Sequence, residues 1–252
     1  MNEQIIETIG MRLANRAYLY RIFHIVFGAD PSSEELHTLG AQETVDAFLY
    51  LSKEEQATTV FFEVESQDGF EQVAAAVTLS SAVELLASLG EKADDEDYID
   101  ALKSDFTRLF YIPGKSYVYP WESPYIGKEM MLFQESTLDV RHRYREHGFE
   151  AQEFGHFPED HVSMMLDFLA HLGSRAFDAF SDGNDEEFAR ILSSQGEFIS
   201  VHLTDWLLKF HKDLCLKDTR GVFCQFAAAL RAFLAVDRLF IEKALAAEWI
   251  SD

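Results

Sequence analysis

The stretch TRGVFCQFAAALRAFLAVDRLFIEKALAA, residues 219–247, decides the class of fold. Phe223, Phe226, Leu230, Phe233, Val236 and Phe240 recur at steps of three and four. On a 3.6-residue helix that spacing gathers them on one broad apolar face. The same period runs backwards through the chain. Residues 197–216 read as a helix, and Asn184 with Glu187 starts the one before it, after a break at SDGND. Pro158 stands as the first residue of a helix to about Phe180, and 128–147 read as another, stopped at Gly148.

Earlier still, ADDED (93–97) loads acids onto the N-terminus of a helix carrying Tyr98, Leu102, Phe106, Leu109 and Phe110, where the helix dipole favours them. Phe70 to Leu89 read as a helix ended by Gly90. A helix through Val45, Leu49 and Tyr50 follows a capping box at Ser32 and Glu35 behind Pro31. Ser52 and Glu55 repeat that spacing and predict helix from Lys53 to Glu65, although TTVFFEV (58–64) argues for a strand there. Ile5, Ile9, Leu13, Ala17 and Tyr20 form the first apolar stripe. With no alternation-plus-turn pattern, no sheet is expected. The expected fold is all-α, roughly ten helices in one domain over 1–252. It divides into an N-terminal helical half (1–110), a connecting loop (111–127) and a C-terminal helical half (128–252).

Composition narrows the function. The 252 residues are 48% hydrophobic with 22 phenylalanines, enough to build a sizeable core and to argue against disorder. A formal charge of −23 disfavours nucleic acid and anionic membrane surfaces, which need clustered Lys and Arg. It suits a basic partner, and equally it suits plain solubility. No apolar run approaches the ~18 residues of a membrane span, and the N-terminus shows no signal-peptide pattern. The expected location is the cytoplasm, and Cys215 and Cys224 are expected to be core thiols in a reducing compartment.

No phosphate-binding loop, nucleophile elbow or HExxH motif occurs. The histidine pairs 142/147 and 156/161 are five apart, which does not place both on one helical face. Three features stand out near helix ends. The first is the aromatic-leucine face of DFTRLF (105–110), either core stripe or the floor of an apolar groove. The second is YPWESPY (119–125), whose Pro120 and Pro124 deny it a helix. The third is PEDH (158–161), whose acids read equally as a helix cap or as a recognition turn. Two acids beside His161 should favour its protonated form. These features hold no nucleophile-base-orienter set. They do hold what a peptide groove needs: aromatic anchors, irregular backbone and negative charge.

FTRLFYIPGKSYVYPWESPY (106–125) followed by FPEDHVSMMLDFLAHL (157–172) resembles the TorD/DmsD family of redox-enzyme maturation chaperones. Phe106, Leu109, Phe110, Pro120, Trp121, Ser123 and Tyr125 match its first signature; Pro158, Asp160 and His161 match its second. His202 and Trp206, within FISVHLTDWLLKF (198–210), also look like family sequence, and the likeness spans roughly residues 95 to 245. Some members carry Trp where this chain has Phe106, and Glu where it has Phe157. The resemblance implies a cytoplasmic, non-enzymatic chaperone that needs no cofactor or metal of its own. Its partners would be the twin-arginine leader and apo-form of a molybdopterin oxidoreductase of the dimethyl-sulfoxide or trimethylamine-oxide reductase type, held until cofactor insertion and before export. The leader would be bound by Phe106, Leu109, Phe110, Pro120, Trp121, Ser123, Tyr125, Asp160 and His161. Two alternatives remain open: an assembly factor for a leaderless nitrate-reductase-type client, and a metal-dependent hydrolase centred on Asp160 and His161. A mid-chain loop between helical halves admits a domain-swapped dimer as well as a monomer.

Overall fold

The computed structural model describes residues 3–66, 69–127, 131–150 and 158–246. Among them are twelve α-helices and one two-stranded antiparallel hairpin, so the all-α expectation holds in class. The helix α1 (Glu3–Gly28) lies along α9 (Val162–Ser181). Their backbones approach closely at Gly173, where an added Cβ would sit 3.1 Å from Cβ of Ala17. The long C-terminal helix α12 (Val222–Leu245) buries Phe223, Phe226, Leu230, Phe233, Val236 and Phe240, the face its spacing predicts. It packs on α5 (Ala75–Glu91), α10 (Asp185–His202) and α11 (Thr204–Lys217).

One apolar cluster runs from Ile9 to Ala244 and draws on both halves of the chain. Tyr20, Phe23, Phe48 and Phe233 meet at its centre, with Tyr20–Phe233 ring centroids 4.7 Å apart. A buried polar network pins these helices in register. Arg16 forks onto both carboxyl oxygens of Asp237 at 2.8 Å and donates to Gln195 at 2.7 Å, and the Tyr20 hydroxyl donates to Asp237 at 2.6 Å. Arg16 and Asp237 have no measurable exposure, so each satisfies a charge that would otherwise be costly to bury.

Several local expectations hold. Ser32 caps α2 (Ser33–Gly40), Asp95 caps α6 (Glu96–Phe110) and Asn184 caps α10, each side chain accepting from the backbone N–H three residues on. Others are corrected. Ser52 does not open a helix; it ends α3 (Gln42–Ser52) and donates back to the Leu49 carbonyl. After the five-residue α4 (Glu55–Thr59) the chain forms β1 (Phe61–Ser66) and β2 (Gly69–Ala74), with Phe61 opposite Ala74. The helix expected from Phe70 therefore begins only at Ala75, and Gly90 lies inside it. The helix expected over 197–216 is broken at Leu203.

Cys215 and Cys224 are bonded to each other, not free core thiols, with Cα atoms 5.1 Å apart. Gly221, at φ +74°, turns α11 back on α12 and brings the last turn of one helix against the first turn of the other. The helix expected from Lys128 begins only at Glu135, since 131–134 are not helical; residues 128–130, most of the loop expected at 150–157, Phe157 and residue 247 lie outside the described residues.

Candidate functional site

The segment after α6 is held by backbone bonds. Val118 N–H donates to the Leu109 carbonyl at 2.8 Å, laying 119–121 beside the turn that precedes α9. There Trp121 and His161 pair as an antiparallel bridge. Glu122 N–H donates to the Asp160 carbonyl at 3.0 Å, and Val162 N–H donates to the Pro120 carbonyl at 2.8 Å. Pro120 has no N–H to offer, but its carbonyl serves the bridge. The Pro-Trp loop and the Asp-His turn, 37 residues apart, thus form one junction.

The turn is not the first turn of a helix. The helix α9 begins at Val162, and His161 is its N-cap. Glu159 and Asp160 are accordingly not dipole caps; both are buried and act as ties. Asp160 accepts from Ser123 N–H at 2.8 Å and from the Thr137 hydroxyl at 3.0 Å. It therefore joins α9's approach to α8 (Glu135–Glu146) and to the short helix α7 (Ser123–Ile126), which forms contrary to expectation because Pro124 stands in its first turn, where no N–H is needed. Glu159 accepts a forked pair from Arg141 at 2.7 and 2.9 Å.

The expectation of a protonated His161 is reversed. Its Nδ1 accepts from Ser163 N–H at 3.2 Å, which needs the lone pair. Burial, with nearby His24, pushes its pKa down to about 4. The two acids beside it in sequence point into other partnerships.

Trp121 in the bridge and Glu122 at the start of α7 line different clefts. On the Trp121 side is a cleft of about 420 Å³ lined by Phe27, Phe106, Phe110, Tyr111, Trp121 and His161 among others. Trp121 and His161 meet edge to face at 5.1 Å. The Trp121 indole N–H is buried with no hydrogen-bond partner. Exposed Asp30 is near enough to add to burial in raising the Tyr111 pKa.

On the Glu122 side is a larger cleft of about 930 Å³, bordered by Ile126, Met131, Phe133, Leu138 and Asp139. His202 bridges two acids there: Nδ1 to Glu122 at 3.1 Å and Nε2 to Asp139 at 3.0 Å. Burial raises the Glu122 pKa against the opposing effect of His202. Sequence reasoning found no partner for Glu122, because His202 lies 80 residues away and no local spacing marks the pair.

The nine residues singled out from sequence divide by position. Phe106, Phe110, Trp121 and His161 line the first cleft together. Leu109, Ser123 and Asp160 are buried behind it, and Pro120 sits in the bridge. Tyr125 faces away, stacked on Trp206 at 5.7 Å with its hydroxyl on Asp213. Burial, then Asp213, raises its pKa. Asp160 and His161 are engaged in the bonds above, and among the described residues the histidine-cysteine cluster with metal-ligand spacing is elsewhere, at His211 and the disulfide-bonded Cys215 and Cys224.

The fold and this junction define a helical protein whose open features, among the described residues, are clefts with aromatic and acidic linings. Residues 72–212 match the family described as nitrate reductase delta subunit. The chain belongs to this family, which takes in the TorD-type redox-enzyme maturation proteins. It is 29% identical over 154 residues to the chaperone protein TorD of Vibrio cholerae, covering 61% of this chain and 68% of that one. It is 26% identical over 227 residues to the chaperone protein TorD of Vibrio parahaemolyticus, covering 90% and 94%. A crystal structure from Archaeoglobus fulgidus, provisionally described as a redox enzyme maturation protein, aligns with 87% of this chain and 93% of its own at 19% identity and a TM-score of 0.47, too distant to add to this.

Proposed function

We propose that this chain is a dedicated, non-enzymatic chaperone of a molybdopterin oxidoreductase. It binds the twin-arginine leader of its apo-client in the cytoplasm and holds the client until cofactor insertion, before export. The observation that carries the reading is the Trp121–His161 bridge, which sets an aromatic cleft beside a buried, unpartnered indole N–H. A buried donor without a partner costs about 1–3 kcal/mol, and a small shift of the indole that brings this N–H onto a peptide carbonyl in the cleft relieves that cost. Phe106, Phe110 and Trp121 receive the apolar part of the leader. Burial of such anchors is worth about 2–3 kcal/mol each before ordering costs.

The direct pairing of Asp160 with leader arginines gives way to a supporting role, since its side chain is 0% exposed and both oxygens accept internal bonds. Leu109, Pro120, Ser123 and Tyr125 act in the same supporting way. Exposed Asp30 acts on Tyr111 at the cleft's edge, and a charge-assisted Arg–carboxylate bond to it would give the arginines direction. Among the described residues no helix is long and apolar enough to cross a membrane, which is compatible with this setting.

The dimethyl-sulfoxide or trimethylamine-oxide reductase type is the proposed client, in line with the TorD relatives. The description of the matching family favours a second client, a leaderless enzyme of the nitrate-reductase type. Calorimetric titration with the synthetic leader, and capture of the client with and without its leader, separate them. The proposal expects leader-dependent capture and saturable peptide binding. Capture that persists undiminished without a leader, with no peptide binding, overturns it in favour of the second. Size-exclusion chromatography with light scattering distinguishes the monomer from the swapped dimer.

A further inference from the structure

The corner between α11 and α12 carries a cluster that lines neither cleft and has no part in the reading above. His211 and Cys215 are four residues apart on α11, so they share one face of the helix. Cys224 lies in the first turn of α12 and is brought against them by the turn at Gly221. Asp218 fixes that turn, accepting from the N–H groups of Phe223 at 2.7 Å and Cys224 at 3.0 Å. One ring nitrogen of His211 and the two sulfurs lie within 4.8 Å of one another. His211 is buried while both cysteines are only part-buried.

We infer that the reduced form of this cluster is a binding site for a thiophilic divalent cation of the Zn²⁺ class. Two thiolates and an imidazole are ligands such ions prefer, and three protein ligands leave a fourth position for water. The His211 ring already presents a lone pair, since its Nδ1 accepts from the Arg231 guanidinium.

The site is gated by the bond between the sulfurs. A dithiol reductant supplies two electrons and two protons, which convert Cys215–Cys224 into two thiols while the reductant becomes a disulfide. The cation then displaces the two thiol protons to solvent as it forms its two sulfur bonds. In the oxidised chain there are no thiolates and the ion has only the imidazole.

Arg231 is the built-in competitor. Its Nη1 donates to Nδ1 of His211 at 2.9 Å and also to the Glu63 carbonyl at 2.9 Å. If the cation takes Nδ1, it displaces that hydrogen bond directly. If it takes Nε2, the ring proton moves to Nδ1 and two donors face each other. Either way, removing Arg231 favours the metal.

The test uses the full chain, reduced with a dithiol, freed of reductant without oxygen, and titrated with Co²⁺ alone. The expected result is one Co²⁺ per chain with thiolate-to-cobalt absorption that Zn²⁺ displaces. The band is absent from the untreated disulfide form and from Cys215→Ser and Cys224→Ser. Arg231→Gln should bind about fivefold to tenfold more tightly, the worth of one hydrogen bond. If the unmutated reduced chain, with both thiols counted free, shows no such band, the inference fails. It fails equally if the serine variants keep the band or if Arg231→Gln binds more weakly. The spectrum of the unmutated chain decides even where a serine variant does not fold.

Discussion

Asp160 is the residue whose replacement most sharply separates a tie from a contact. Its side chain is fully buried, with one oxygen on Ser123 N–H and the other on the Thr137 hydroxyl. Asp160→Ala orphans both donors. Each unsatisfied buried group costs about 1–3 kcal/mol, so the variant should lose about 2–6 kcal/mol. That is a large part of the 5–15 kcal/mol typical of a domain. Asp160→Asn keeps the shape. Its Oδ1 accepts from Ser123 N–H and its amide donates to the Thr137 hydroxyl, so the loss should be near 1 kcal/mol. The assay is urea unfolding followed by circular dichroism, paired with leader-peptide titration of the folded protein. The expected pattern is strong destabilisation in Asp160→Ala, slight destabilisation in Asp160→Asn, and leader affinity in Asp160→Asn within a few-fold of the parent. If Asp160→Asn keeps its stability but loses tenfold or more in leader affinity, the carboxyl group meets the peptide and the reasoning is refuted.

Other perturbations have equally definite outcomes. His161 has its pKa pushed down to about 4 in the fold, against about 6.5 in an unfolded chain. Below about pH 6.5 the unfolded chain therefore binds protons that the folded ring does not. The stability it contributes is complete above that pH and drains away as pH falls toward 4. Stability measured across this range should fall less steeply in His161→Gln than in the parent; identical slopes would count against the neutral N-cap. Asp237→Ala leaves the Arg16 guanidinium buried and unpaired. It should cost about 3–5 kcal/mol in urea unfolding, and a loss below 1 kcal/mol would contradict the network's role. Gly40→Ala puts a Cβ into the backbone of Gly90, where α2 crosses α5. A loss of about 1–3 kcal/mol from overpacking should follow, and a neutral result would show that the crossing can relax.

The sequence made the helices legible where one face repeats over many turns, as Phe223 to Phe240 does in α12. It made caps legible where a short side chain stands three residues before its N–H partner, as at Ser32, Asp95 and Asn184. TTVFFEV left a trace of β1, but β2 was hidden because its apolar residues, Phe70 and Val73, join without a break to the apolar run of α5. Period alone does not separate those possibilities over so short a span. Gly90 reads as a helix stop, yet it sits within α5, where the absence of a side chain admits Gly40.

The candidate site was legible as two segments and not as one place. Nothing local in PWES or PEDH announces that they pair, since a junction whose Ser123–Asp160 bond spans 37 residues leaves no periodic trace. For the same reason the acids of PEDH read as helix caps, while their actual partners, Arg141, Thr137 and Ser123, come from other elements. Glu122 was unreadable without His202, and Cys215 without Cys224.

A photoreactive leader peptide tests the central claim most directly. With the probe in its apolar stretch, cross-linked and mapped by mass spectrometry, labels should fall on 106–121 and 161–164, around the Trp121 cleft. They should diminish strongly in Trp121→Ala. Labels confined to 126–139, on the Glu122 side, would contradict the account.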